Sequence, residues 1–116
     1  MSDRIARLKK TLVQFAKERD WEQFHTPKNL AMAMSVEAAE VMELFQWLTE
    51  AQSKRLSSAR IEELSDELAD TYIYLLRIAA HYDIDLVGAA EKKIKKSARK
   101  YPVQKARGSA KKYTEL

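Results

Sequence analysis

Two acidic pairs stand out in the chain, Glu37-x-x-Glu40 and Glu67-x-x-Asp70. Each lies in a segment whose apolar residues recur every three or four positions, with no Gly or Pro inside, so both segments read as helix. Residues three apart on a helix are neighbours on one face. At about 100° per residue, Leu30, Val41, Leu44 and Leu48 fall within roughly 40° of Glu37. Thr71, Tyr74 and Ile78 fall within roughly 40° of Glu67 by the same geometry. Four carboxylates therefore sit on or beside faces that are expected to pack. A buried, unpaired carboxylate is costly, and like charges held together add to the cost. A cation relieves both. The chain has no cysteine, and converging carboxylates suit a hard, oxygen-seeking ion, Mg²⁺ or Mn²⁺. The plainer alternative is that the acids are charged flanks of amphipathic helices, paired with the many lysines.

The elements that must position these acids are legible as four helices. Residues 3–19 carry an apolar stripe of Ile5, Leu8, Leu12 and Phe15, with Ser2 or Asp3 as cap. Asp20 to His25 is a connector with unusually large side chains, Trp21, Phe24 and His25. It is expected to pack, to line a pocket, or to staple the next helix. Thr26 and Pro27 open the second helix as N-cap and first helical residue, and it runs to about Glu50. Residues 51–58 form a polar break. The third helix runs from about Ala59, capped by Ser58, to His81, with Glu62 and Glu63 in its first turn. Tyr82 to Ile84 turn the chain, Asp85 caps the fourth helix, and Pro102 stops it after Lys100. The result is an all-α four-helix bundle over residues 1–102, followed by a basic tail, 103–116, without periodicity.

Composition narrows the function. A chain of 116 residues is one domain with a modest core, so sharing apolar faces in a homo-oligomer is expected. Two glycines and two prolines argue against a turn-rich β fold. No apolar run has the length of a membrane span, and nothing resembles a signal peptide, so a soluble cytoplasmic protein is expected. Residues 91–116 carry a net charge of +8 and residues 1–90 a net of −4. A basic stretch beside an acidic body suits a polyphosphate substrate, whose charge both metal and lysine must meet. A solvated helix face or nucleic-acid binding would also account for it. Neither histidine lies three residues after a glutamate, so the ligand pairs of di-iron bundles are missing. His81 reads as a partner for the helix dipole. Neither a phosphate-binding glycine loop nor a nucleophilic triad is present. Trp47 and Tyr74 lie near the acids, where an aromatic could stack a base or fill the core.

The arrangement Glu37-x-x-Glu40 with Glu67-x-x-Asp70 resembles the signature of the MazG-like all-α nucleoside triphosphate pyrophosphohydrolases. Arg19-Asp20-Trp21-Glu22-Gln23-Phe24-His25, Pro27-Lys28-Asn29-Leu30, Leu44-Phe45-Gln46-Trp47, Glu63 to Asp70 and Arg107 to Thr114 are similar to the dCTP pyrophosphatase branch, over nearly the whole chain. The resemblance implies cleavage of a deoxynucleoside triphosphate, dCTP or a modified dCTP, between the α and β phosphates. It implies Glu37, Glu40, Glu67 and Asp70 as Mg²⁺ ligands. It also implies Trp21, Trp47 and Tyr74 around base and sugar, with His25, Lys28 and Asn29 near the pocket, and a homotetramer built from dimers. Glu37 or Glu40 is the expected general base. Lys93, Lys96, Arg99 and Lys100 are expected to stabilise the leaving pyrophosphate. The chain departs from its relatives at Leu12, where members can carry histidine, and at Ser97, where some carry asparagine. Two other readings remain: the same fold acting on another nucleotide such as dUTP, or a non-enzymatic helical module binding nucleic acid or protein through the basic tail. The second does not need acids on apolar faces, so no stable nucleic-acid partner and no membrane are expected.

Overall fold

The computed structural model describes residues 2–116, with side chains from residue 4 onward. The described residues form helices and turns, with no strand. In order they are α1 (Ser2–Glu18), a 3-10 turn (Glu22–Phe24), α2 (Pro27–Phe45), α3 (Glu50–Ser53), α4 (Ser58–His81), α5 (Leu86–Lys100), α6 (Val103–Ala106) and a second 3-10 turn (Tyr113–Glu115). The fold is all-α, as expected. The four long helices match the four periodic segments, and α3 and α6 are short additions. The caps expected for α1, Ser2 and Asp3, lie outside the described side chains. The chain divides into two units, Met1–Asp83 and Ile84–Leu116, and the boundary expected after residue 102 lies inside the second. No helix among the described residues is long and apolar enough to cross a membrane.

Local chemistry explains the ends of the helices. α1 stops in a Schellman motif: the Trp21 N–H donates to the Ala16 carbonyl at 2.9 Å and the Asp20 N–H to Lys17 at 3.1 Å. Asp20 takes the left-handed position at φ 54°, which glycine more often fills. The hydrophobic contact that accompanies this motif is Trp21 against Phe15, with ring centroids 5.7 Å apart. Thr26 caps α2 by accepting from the Asn29 N–H, and Pro27 is its first residue.

Two expected boundaries shift. The second helix ends at Phe45, not Glu50, because Thr49 and Gln52 form a reciprocal capping box that starts α3. The cap of α4 is Ser57, not Ser58; it accepts from the Arg60 N–H at 3.2 Å. Glu62 and Glu63 consequently fall beyond the first turn of α4.

In the first unit, α2 and α4 form the principal packing pair and α1 lies against α4. Leu30 and Leu76 line one cavity, while Glu37 and Glu67 share one carboxylate cluster. Ascending α2 thus descends α4, and the pair is antiparallel. The fully packed residues are few: Ala16, Leu30, Leu76 and Ala79.

In the second unit, Asp85 caps α5 by accepting from the Gly88 N–H at 3.2 Å. A Cβ on Gly88 would lie 2.7 Å from the Asp85 Oδ2, so this cap favours glycine there. The tail, expected to be irregular, contains α6 and the second 3-10 turn, and Tyr113 meets Tyr101 edge-on at 5.9 Å.

With so small a core, one large side chain should matter disproportionately. Leu76, 2% exposed, is the largest fully buried one. Leu76→Ala should lower the unfolding free energy by about 2–5 kcal/mol. A urea titration giving a loss below about 1 kcal/mol would mean that the α2–α4 contact is held elsewhere.

Candidate active site

The antiparallel pairing of α2 and α4 brings the two acidic pairs together. One carboxylate oxygen from each of Glu37, Glu67 and Asp70 lies within 4.8 Å of the others. Glu40 is within hydrogen-bonding reach of both Glu37 and Glu67 but falls outside that triad. Glu37, Glu40 and Glu67 are half-buried and Asp70 is exposed, so the acids line an open recess between two helices rather than a closed core.

Two oxygens are orphaned: Glu37 Oε2 and Glu67 Oε2 are shielded from solvent and have no hydrogen-bond partner. An ionised carboxylate can only accept, so neighbouring carboxylates cannot satisfy one another unless a proton is shared or a cation intervenes. The protonation behaviour follows. Hydrogen bonding with Glu40, then desolvation, then the charges of Glu40 and Glu37 push Glu67 up to about 7. Glu37 is also raised, first by desolvation and then by Glu40. This donor set, all carboxylate oxygens with two of them unsatisfied, fits a hard metal ion.

Further along the α2–α4 pair, and bounded also by α1, is a cavity of about 190 Å³. Its lining includes Leu12, His25, Leu30, Leu76 and Arg77, with Lys9 and His81 at its edge-forming helices. Leu30 precedes Glu37 by seven residues and Leu76 follows Asp70 by six, which sets the cavity about 10 Å along the helix pair at 1.5 Å per residue. His25 is half-buried, with its ring edge-on to Trp21 at 6.0 Å. Burial, then the charge of Arg77, lower its pKa below the usual 6.5.

The remaining residues singled out by sequence are scattered. Asn29 uses its side-chain amide to hold the Phe24 carbonyl at 2.9 Å, bracing the connector. Lys28 is exposed and Tyr74 half-buried. Trp47 lies beyond the end of α2 and is 87% exposed, so it is not a core residue of this chain. Lys93, Lys96, Arg99 and Lys100 are on α5 in the second unit, where the Lys100 ammonium sits over the Tyr113 ring at 4.8 Å. The residue that sequence reasoning missed is Arg77. Its one visible signal was its place as the lone charge between Asp70 and His81 in an otherwise apolar run.

An all-α chain in which two antiparallel helices bring four carboxylates to an open recess defines an acidic site whose donor set could hold a divalent metal ion. The MazG-like family model matches residues 32–116, and the chain belongs to the MazG-like family. It is similar to dCTP pyrophosphatase 1 of Homo sapiens and of Rattus norvegicus, at 45% identity over 105 residues in each case. That similarity covers 89% of this chain and 62% of theirs, so the chain spans under two thirds of the length of these relatives. A pyrophosphatase of known structure from Archaeoglobus fulgidus superposes with a TM-score of 0.80 at 37% identity, covering 85% of this chain and 93% of that one.

The raised carboxylates make stability pH-dependent. Glu67 binds its proton more tightly folded, at about 7, than at its ordinary 4.5. Its contribution to stability is fully present below 4.5 and is lost as pH rises through about 7. Glu67→Gln removes that titration. In EDTA, the variant's Tm should gain on wild type between about pH 5 and pH 8, and a difference constant across that range would contradict the crowding of the acids.

Proposed function

We propose that the chain is a Mg²⁺-dependent nucleoside triphosphate pyrophosphohydrolase. Its substrate is a deoxynucleoside triphosphate, dCTP or a modified dCTP, cut to the monophosphate and pyrophosphate. The observation that carries this reading is the convergence of Glu37, Glu67 and Asp70, with Glu40 beside them and two oxygens orphaned. The similarity to two mammalian dCTP pyrophosphatases and to an archaeal pyrophosphatase supports the reaction type. The reading places the enzyme in the cytoplasm with residues 1–102 as its catalytic domain and 103–116 as a basic tail. Clearing unwanted nucleotides from the precursor pool is its role.

In this reading Glu37, Glu67 and Asp70 hold the metal, with Glu40 able to join them. A divalent ion held there, Mg²⁺ or Mn²⁺, would neutralise phosphate charge and act as a Lewis acid toward phosphorus. Glu37 or Glu40 would orient a water and take its proton as it attacks the α-phosphorus. The bond to the bridging oxygen breaks and pyrophosphate leaves as the second product. Trp21, His25 and Tyr74, with Trp47, Lys28 and Asn29, bind base and sugar. Trp21 also packs on Phe15, and that contact fixes where its ring can stack.

The open face of α4 supports a homo-oligomer, with a tetramer as the form expected from the family resemblance. Ile61, Leu68, Tyr72 and Leu75 are all exposed, and at about 100° per residue the last three fall within roughly 40° of Ile61. A second copy covering this stripe is the economical way to remove it from water.

Pyrophosphate release measured over the four natural dNTPs, with and without Mg²⁺, tests the activity. Turnover should require the metal and be fastest with dCTP. Glu37→Gln and Asp70→Asn should abolish it while leaving the far-ultraviolet circular dichroism intact. Wild-type turnover in either variant would remove the ligand assignment.

Light scattering should report an assembly larger than a monomer at micromolar concentration. In the same preparation, Trp47→Ala should raise Kd for dCTP about five- to 150-fold, as expected for losing a base-stacking ring. Unchanged affinity would mean that the exposed ring serves another contact.

A further inference from the structure

Arg77 reaches from α4 into the half-buried ground between α1, α4 and the connector. Its Nη1 donates to the Leu12 carbonyl at 2.9 Å. That anchor holds the guanidinium so that Nη2 faces His25 Nδ1 at 3.4 Å. No carboxylate within ion-pair distance competes for it among the described residues. A guanidinium has donors only and stays charged. A proton on His25 Nδ1 would set N–H against N–H, so Nδ1 must present its lone pair and the ring's single proton must be on Nε2. The ring is held from other sides as well. Its plane meets Trp21 edge-on, and the backbone N–H of His25 donates to the Glu22 carbonyl at 3.2 Å. The Nε2–H makes no hydrogen bond within the protein among the described residues, and His25 lines the cavity. Lys9 and His81 line it too, and no carboxylate does.

We propose that Arg77 is a positioning residue that fixes His25 as the neutral ring protonated on Nε2, giving the cavity a hydrogen-bond donor for an acceptor atom on the nucleobase edge. The identity of the occupant rests on the activity proposed above; the tautomer does not. A carbonyl oxygen or an unprotonated ring nitrogen of a pyrimidine has the matching chemistry. Burial and the neighbouring positive charge both keep the ring uncharged, in line with the lowered pKa of His25.

The test compares wild type with Arg77→Met and Arg77→Lys in the full chain. Methionine keeps an apolar stem for packing and removes the charge and both donors, whereas lysine keeps charge without the fork. Two-bond proton–nitrogen correlation spectra report the tautomer, and the chain's two histidines are told apart with His25→Gln. Wild type should show the proton on Nε2. In Arg77→Met the His25 midpoint should return toward 6.5, and KM for dCTP should rise about fivefold with kcat within about twofold. Arg77→Lys should restore part of the KM loss. A wild-type ring protonated on Nδ1, or a midpoint unmoved in Arg77→Met, overturns the role of Arg77 with the activity intact. So does a fall in kcat and Tm with KM unchanged, which would mark Arg77 as a strut to Leu12 alone. Failure of wild type to release pyrophosphate from any dNTP overturns the activity and the nucleobase as occupant.

Discussion

Like charges held close between two helices are the constraint on which the first unit depends. Glu37, Glu67 and Asp70 put three carboxylate oxygens within 4.8 Å of one another, and two oxygens have no donor. Such a cluster pushes α2 and α4 apart unless a proton or a cation intervenes. Near neutral pH the proton is only a partial remedy, because Glu67 gives it up at about 7. A divalent ion held there would offset the charge of several carboxylates together and would carry no such limit. The recess is half open, with Asp70 exposed, so the acids can be reached from solvent.

The connector between α1 and α2 solves a second problem, how to present aromatic and imidazole groups from a short loop without leaving them loose. Asp20, in the left-handed conformation, lets Trp21 close the Schellman motif and rest on Phe15. Trp21 then abuts His25, Asn29 ties the Phe24 carbonyl to the start of α2, and Arg77 reaches from α4 to both Leu12 and His25. Each contact is weak alone, since a typical hydrogen bond contributes only about 1 kcal/mol net. Their value is geometric, because three helices and one loop converge on the same few side chains.

The four long helices were legible because apolar periodicity is a property of many residues at once and tolerates local ambiguity. The caps Thr26 and Asp85 were legible because each stands alone before its helix. The break after Phe45 was not, because the apolar spacing runs on through Leu48 while the Thr49–Gln52 capping box competes with it locally. Adjacent serines made the start of α4 ambiguous by one residue, and the geometry chose Ser57. The acidic pairs were legible because the same unusual placement occurs twice. Arg77 was not, since a lone arginine in an apolar run reads equally well as a stem lying on the surface with its head in water. Asn29 shows the converse: a polar residue in a suggestive motif whose amide is engaged in bracing the connector.

The thin core and the exposed stripe of α4 bear on the acids through the same helix. α4 uses one face to carry Glu67 and Asp70 toward α2 and another to expose Ile61, Leu68, Tyr72 and Leu75. Within the chain, few fully buried side chains oppose the repulsion at the first face: Leu30, Leu76 and Ala79, with Ala16 from α1. Fully burying a large apolar side chain is worth roughly 1.5–3 kcal/mol, and Ile61, Leu68, Tyr72 and Leu75 on the open face are part-covered already, so a second copy would add on the order of half that for each. The sum is several kcal/mol applied along the helix that holds two of the acids. Association would therefore do more than hide apolar surface. It would fix α4 against the force that the acids themselves generate, and it would leave the recess, on a different face of the helix, open to solvent.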